Sequence, residues 1–96
     1  MPAYIIVQET IKDRDELQKY RDGVHDILAS YDGEVIVSSE NPEVLEGEWP
    51  CTKTVVVRFP SVMEAKRWYK SPEYQELVQY RFRAADCNLI LVEGRS

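Results

Sequence analysis

The run TVVVRFPSVMEA, residues 54–65, changes its period at Pro60. Thr54 to Phe59 is β-branched and aromatic, the profile of a strand, and Pro60 ends it because proline cannot donate to a ladder. Ser61 followed by Glu64 is then a capping box ahead of Val62, Ala65, Trp68 and Tyr69 at helical spacing. Ser71-Pro72 supplies a second cap and a first-turn proline, after which Tyr74, Leu77, Val78, Arg81, Phe82 and Ala85 share a face. The spacing therefore predicts a strand feeding a helix that is broken in two.

Upstream, Asn41-Pro42 opens a break, and the arm Val44 to Pro50 mixes apolar side chains with turn residues, which predicts an ordered hairpin arm. A second strand is expected over Glu34 to Ser39. Before it, Asp13 with Glu16 caps an amphipathic helix carried by Leu17, Tyr20, Val24, Ile27, Leu28 and Tyr31, with Gly33 as its stop. The first strand is expected over residues 3 to 9. Downstream, Asn88 to Val92 closes the chain as a fourth strand ended by Gly94.

The order β, α, β, β, α, β over residues 1–96 predicts one α+β domain, a ferredoxin-like sandwich. Right-handed crossovers place both helices on one face of a four-stranded antiparallel sheet. A sheet wetted on its other face should alternate polar with apolar residues, yet Tyr4 to Val7, Val35 to Val37, Val55 to Val57 and Leu89 to Val92 are apolar at consecutive positions. Hiding roughly four aliphatic side chains yields about 6 to 12 kcal/mol, on the scale of a small domain's whole stability. Face-to-face pairing of two copies by a twofold axis is the expected solution, so the expected partner is the chain itself.

Composition narrows the function. Hydrophobic residues make up 44% and charged residues 30% of the 96, the balance of a packed core with a solvated exterior. The net charge of −5, with basic residues scattered singly, argues against nucleic acid as a partner. No apolar run approaches the roughly 20 residues that span a bilayer, so no membrane role is expected. The N-terminus reads as a strand and not as a signal peptide, which points to the cytoplasm. Cys51 and Cys87 form no CxxC pair and no cluster with the lone His25, so they read as reduced thiols, and neither metal nor cofactor is expected.

Five segments stand out together: Tyr31-Asp32-Gly33-Glu34, Val44-Leu45-Glu46-Gly47-Glu48-Trp49, Phe59-Pro60-Ser61, the string Trp68-Tyr69-Lys70-Ser71-Pro72-Glu73-Tyr74, and Val92-Glu93-Gly94. Taken together they resemble domain-of-unknown-function family 1330, within the dimeric α+β barrel superfamily. The resemblance implies the ferredoxin-like monomer and a sheet-to-sheet dimer, the dimeric α+β barrel, and implies no settled activity. Asp32 stands where that family usually has a glycine, and Arg58 where relatives often carry an acid.

The candidate chemistry is sparse. His25, beside the apolar stripe of the first helix, is the one side chain that titrates near neutrality unaided and is the candidate acid or base; the plainer reading is an exposed helix residue. Trp49, Trp68, Tyr69 and Tyr74 offer rings to a flat ligand, against the plainer reading of core and dimer-rim filler. Arg58 and Arg81 offer forks to a ligand carboxylate, against simple pairing with Glu46, Glu48 or Glu73. The expected function is a small homodimeric protein binding a small apolar or weakly acidic molecule between helices and sheet. The alternative, suggested by superfamily relatives, is a cofactor-independent enzyme of the monooxygenase or isomerase type acting on an aromatic or related small molecule.

Overall fold

In the computed structural model, which describes residues 1–95, the chain runs β1 (Ala3–Ile11), α1 (Arg14–Ser30), β2 (Glu34–Ser39), β3 (Lys53–Phe59), α2 (Val62–Lys70), α3 (Pro72–Ala84) and β4 (Ala85–Glu93). The four strands form one antiparallel sheet in the order β2-β3-β1-β4. The expected ferredoxin-like order is present, but the expectation of a barrel is corrected: β2 and β4 are open edges and the sheet does not close. Four strands are too few, since closure around filled side chains takes about eight.

The start and stop signals act as their chemistry requires. Asp13 Oδ1 accepts the Glu16 amide at 3.1 Å, and Ser61 Oγ accepts that of Glu64 at 3.1 Å. Ser71 ends α2 and caps α3 at once, with Pro72 in the first turn, so the break in the second helical element is a shared cap. At the end of α1 the stop differs from the expected glycine. Asp32 takes the left-handed conformation, φ 58°, while its amide bonds Ala29 O and the Gly33 amide bonds Leu28 O at 2.8 Å. Gly33 is needed for space instead, since a Cβ there would lie 2.8 Å from the Phe59 ring and 2.9 Å from Leu28.

Strand alternation divides the sheet into two faces. Ala3, Ile5, Val7 and Glu9 of β1, with Val57 and Phe59 of β3, are buried beneath the helices. There Trp68 and Tyr74 pack with ring centroids 4.1 Å apart, and Phe59 lies 5.3 Å from Trp68. On the opposite face Val37, Val56, Ile6 and Ile90 stand in one cross-strand row, and among the described residues no element covers them. Ile90 is 56% and Val37 41% exposed, and a bulge between Val35 and Val37 leaves Ile36 exposed as well. The arm between β2 and β3 is irregular and exposed; its Trp49 Nε1 donates to Thr54 Oγ1 at 2.7 Å. Among the described residues no helix is long and apolar enough to cross a membrane.

Candidate functional site

Because α1 packs chiefly against α3, its inner side stands off the sheet, and a cavity of about 110 Å³ lies between them. Register explains its chemistry. On the covered face of the sheet, Lys53, Glu9 and Cys87 are cross-strand partners in one row. The next row toward the sheet's other end is Val55, Val7 and Leu89, followed by Val35, Val57, Ile5 and Leu91. A polar end thus passes into an apolar one within two rows. From above, α1 contributes Tyr20, Arg21, Val24, His25 and Leu28, while Trp68 of α2 and Tyr74 and Arg81 of α3 close the cavity.

The polar groups at this site are under-partnered. Glu9 and Arg81 are buried, and Arg81 Nε, Arg21 Nη2 and Trp68 Nε1 are buried atoms without a hydrogen-bond partner. The Tyr20 and Tyr74 hydroxyls lie 2.9 Å apart and share a hydrogen bond, and the Arg81 guanidinium sits 5.7 Å from the Tyr20 ring centre. Burial, reinforced by Tyr74, pushes the Tyr20 hydroxyl far above its ordinary value. Burial also raises Tyr74, against the opposing charge of Arg81. Lys53 is held below its ordinary value by burial and by neighbouring Arg21. Burial pushes the Cys87 thiol up despite the nearby Arg81. Burial works against the Arg81 charge itself, but Tyr74, Tyr20 and Cys87 outweigh it and keep the guanidinium above its usual range.

Four of the residues singled out from sequence meet at this cavity: His25, Trp68, Tyr74 and Arg81. His25 is exposed at its mouth. The other three lie elsewhere. Arg58 is exposed on the uncovered face, paired across the ladder with Tyr4 and Glu34. Trp49 belongs to the arm, and Tyr69 lines a separate shallow depression with Leu91 and Ala65. Neither arginine makes the ion pairs expected for it, and Glu73 accepts instead from the Tyr31 hydroxyl at 2.7 Å. Glu9, Tyr20, Arg21 and Lys53 were not singled out. Glu9 did carry a signal, since it continues the odd-numbered set Ala3, Ile5 and Val7 that faces the core.

Residues 2–95 match the model of the family described as domain of unknown function, DUF1330. The chain belongs to this family. No curated protein matches it by sequence. Among solved structures, it is similar to a protein of unknown function from Rhodopseudomonas palustris, with 17% identity and TM-score 0.80 over 99% of this chain and 83% of that one. It is also similar to a dimeric ferredoxin-like protein of unknown function from Jannaschia, with 10% identity and TM-score 0.79 over 98% and 100% of the two chains. A third likeness is to SnoaB, a cofactor-independent oxygenase from Streptomyces nogalater, with 9% identity and TM-score 0.71 over 99% and 94%. At these identities the likeness establishes the fold that this DUF1330 member shares with them.

Proposed function

We propose that this DUF1330 protein is a homodimeric binding protein that holds a small apolar or weakly acidic molecule between its helices and its sheet. The observation that carries this reading is the pair of unpartnered buried donors, Arg81 Nε and Trp68 Nε1, on the walls of a cavity. Each unpartnered buried donor costs about 1 to 3 kcal/mol, and a ligand that brings an acceptor recovers it. A volume near 110 Å³ suits a compact molecule, because an engineered cavity of about 150 Å³ takes up benzene. The free Cys51 and Cys87 thiols fit a reducing cytoplasm. Dimerisation through the uncovered face would bury the Val37, Val56, Ile6 and Ile90 row against its own copy, an isologous contact.

The test is amide-resolved NMR with a mixture of uncharged and acidic probes of benzene size. Shifts are expected at Val24, Leu28 and Trp68, and Val24→Phe, which fills the cavity, is expected to abolish them. Shifts that survive Val24→Phe, or that fall outside the cavity, sink the reading.

A second reading, a cofactor-independent enzyme of the monooxygenase or isomerase type on an aromatic or related small molecule, draws support from the likeness to SnoaB and from His25 at the cavity mouth. In it His25 moves a proton while Trp68 and Arg81 hold the substrate. Turnover of an aromatic probe, followed by oxygen uptake or by isomer formation, should fall at least about 100-fold in His25→Gln. Turnover unchanged by that substitution removes the assigned base.

A further inference from the structure

The charges lining the cavity do not balance. Arg21, Lys53 and Arg81 face it with Glu9 as the one carboxylate, and among the described residues none of these four enters an ion pair. In a chain of net charge −5 this concentration of positive charge runs against the overall trend. Glu9 lies beside Lys53 in the sheet and offsets at most one of the three. Arg81 is only 3% exposed, with Nε unpartnered, and Arg21 Nη2 is likewise buried and unpartnered. A cation so placed is costly unless an anion meets it. Arginine's planar fork matches a carboxylate through two parallel hydrogen bonds. The other end of the same cavity, walled by Val24, Leu28, Val57 and Trp68, offers an incoming molecule only apolar surface and one indole donor.

We infer, on the basis of the small-molecule reading above, that the ligand is a small amphipathic carboxylate. Its carboxylate lies against Arg81 and Arg21, and its hydrocarbon body points toward Val24, Leu28 and Trp68. The cavity volume limits it to no more than about six non-hydrogen atoms, by comparison with the larger cavity that admits benzene. Glu9 sets the upper limit on ligand charge: with one carboxylate already present and apolar walls beyond, a single anionic group is accommodated better than two.

Titration calorimetry on the full chain tests this with matched pairs, isobutyrate against isobutyramide and propionate against propionamide. Each pair keeps the shape and removes the charge. The acids should bind about tenfold or more tightly than their amides, the worth of a charged hydrogen bond. Arg81→Gln should erase that advantage, bringing each acid to the affinity of its amide. Arg21→Gln, at a half-buried position of α1 that tolerates the change more readily, should shrink it. Glu9→Gln should move the acids the other way, toward tighter binding, a sign that general loosening of the fold does not produce. Amides that bind as well as acids, or acids indifferent to Arg21→Gln and Glu9→Gln, overturn the carboxylate assignment and leave the binding-protein reading standing. If none of the four probes binds and the NMR probes shift nothing at the cavity, both fall together.

Discussion

The two faces of this sheet carry each other's expected residues. The covered face, under three helices, holds Glu9 and Lys53 side by side with Arg81 above them, whereas the uncovered face presents Ile90, Val37 and Ile36 to solvent. Charge is ordinarily excluded from the interior, and large aliphatics in a contiguous row are ordinarily hidden. Each departure costs stability in the lone chain, and each cost is removed by a different kind of binding. On the proposed readings, an anion would relieve the covered face and a second copy the uncovered one. The contrast would separate the two proposed functions spatially, because the cavity lies beneath the helices while a partner copy would approach from the opposite side of the sheet.

The largest effect is expected from breaking the uncovered side. Ile90→Glu places a carboxylate in the middle of the exposed row, and a twofold contact suffers the change twice. At about 1.5 to 3 kcal/mol for each buried isoleucine lost, before any cost of the new charge, association should weaken by about 3 to 6 kcal/mol, or at least about 100-fold. Sedimentation should show the parent as a dimer and Ile90→Glu as a folded monomer at micromolar concentration. Because Ile90 points away from the cavity, carboxylate binding per chain should survive. A parent that sediments as a monomer, or a variant that loses ligand and dimer together, defeats the separation of the faces.

Much of the fold was legible because its punctuation is strong. Gly33 and Asn41-Pro42 bracket β2, whose expected span Glu34 to Ser39 is the observed one, and Ser71-Pro72 marks the real break between α2 and α3. β1, β3 and β4 extend beyond their expected ends, at Ile11, Lys53 and Ala85, because ladder pairing continues through polar residues that an apolar pattern leaves out. Sheet closure was not legible at all, since it depends on strand number and edges and not on any local pattern. The site was harder. Arg58 follows Val57 directly, and one step along a strand moves a side chain through the sheet, so an apolar run with no alternation conceals which face a neighbour occupies. Lys53 joins Glu9 only through the β1–β3 register, which a single sequence does not display.

The covered face can be sharpened by alkali. Burial raises both Tyr20 and Tyr74 above their ordinary value near 10. Below that value both are protonated whether the chain is folded or not, and their contribution is fully present. Above it the unfolded chain releases two protons that the folded chain retains, so stability falls with rising pH by up to about 2.7 kcal/mol per unit. The expected record is a phenolate absorbance that rises in two stages, with Tyr20 and Tyr74 ionising only as the fold is lost. Tyr20→Phe should halve the late stage. Smooth titration of every tyrosine in a protein that stays folded would show that the covered face is wetter than its geometry indicates.

The smallest effect belongs to a residue on neither face, and it serves as the control for the other two. Asp32 holds the left-handed turn between α1 and β2, a conformation that costs an ordinary side chain about 1 to 2 kcal/mol and aspartate somewhat less. Glycine occupies it without that cost but gives up more freedom on folding, about 0.5 to 1 kcal/mol. Asp32→Gly should therefore stabilise by about 0.5 kcal/mol, a rise in Tm of about 3 °C. Asp32→Val, with a branched Cβ in the same turn, should lower it. Neither change touches the Ile90 row or the Arg81 cavity, so sedimentation and carboxylate affinity should both stay where they are. A shift in either would mean that the turn transmits strain into α1, and that the two faces are less independent than their positions on the sheet imply.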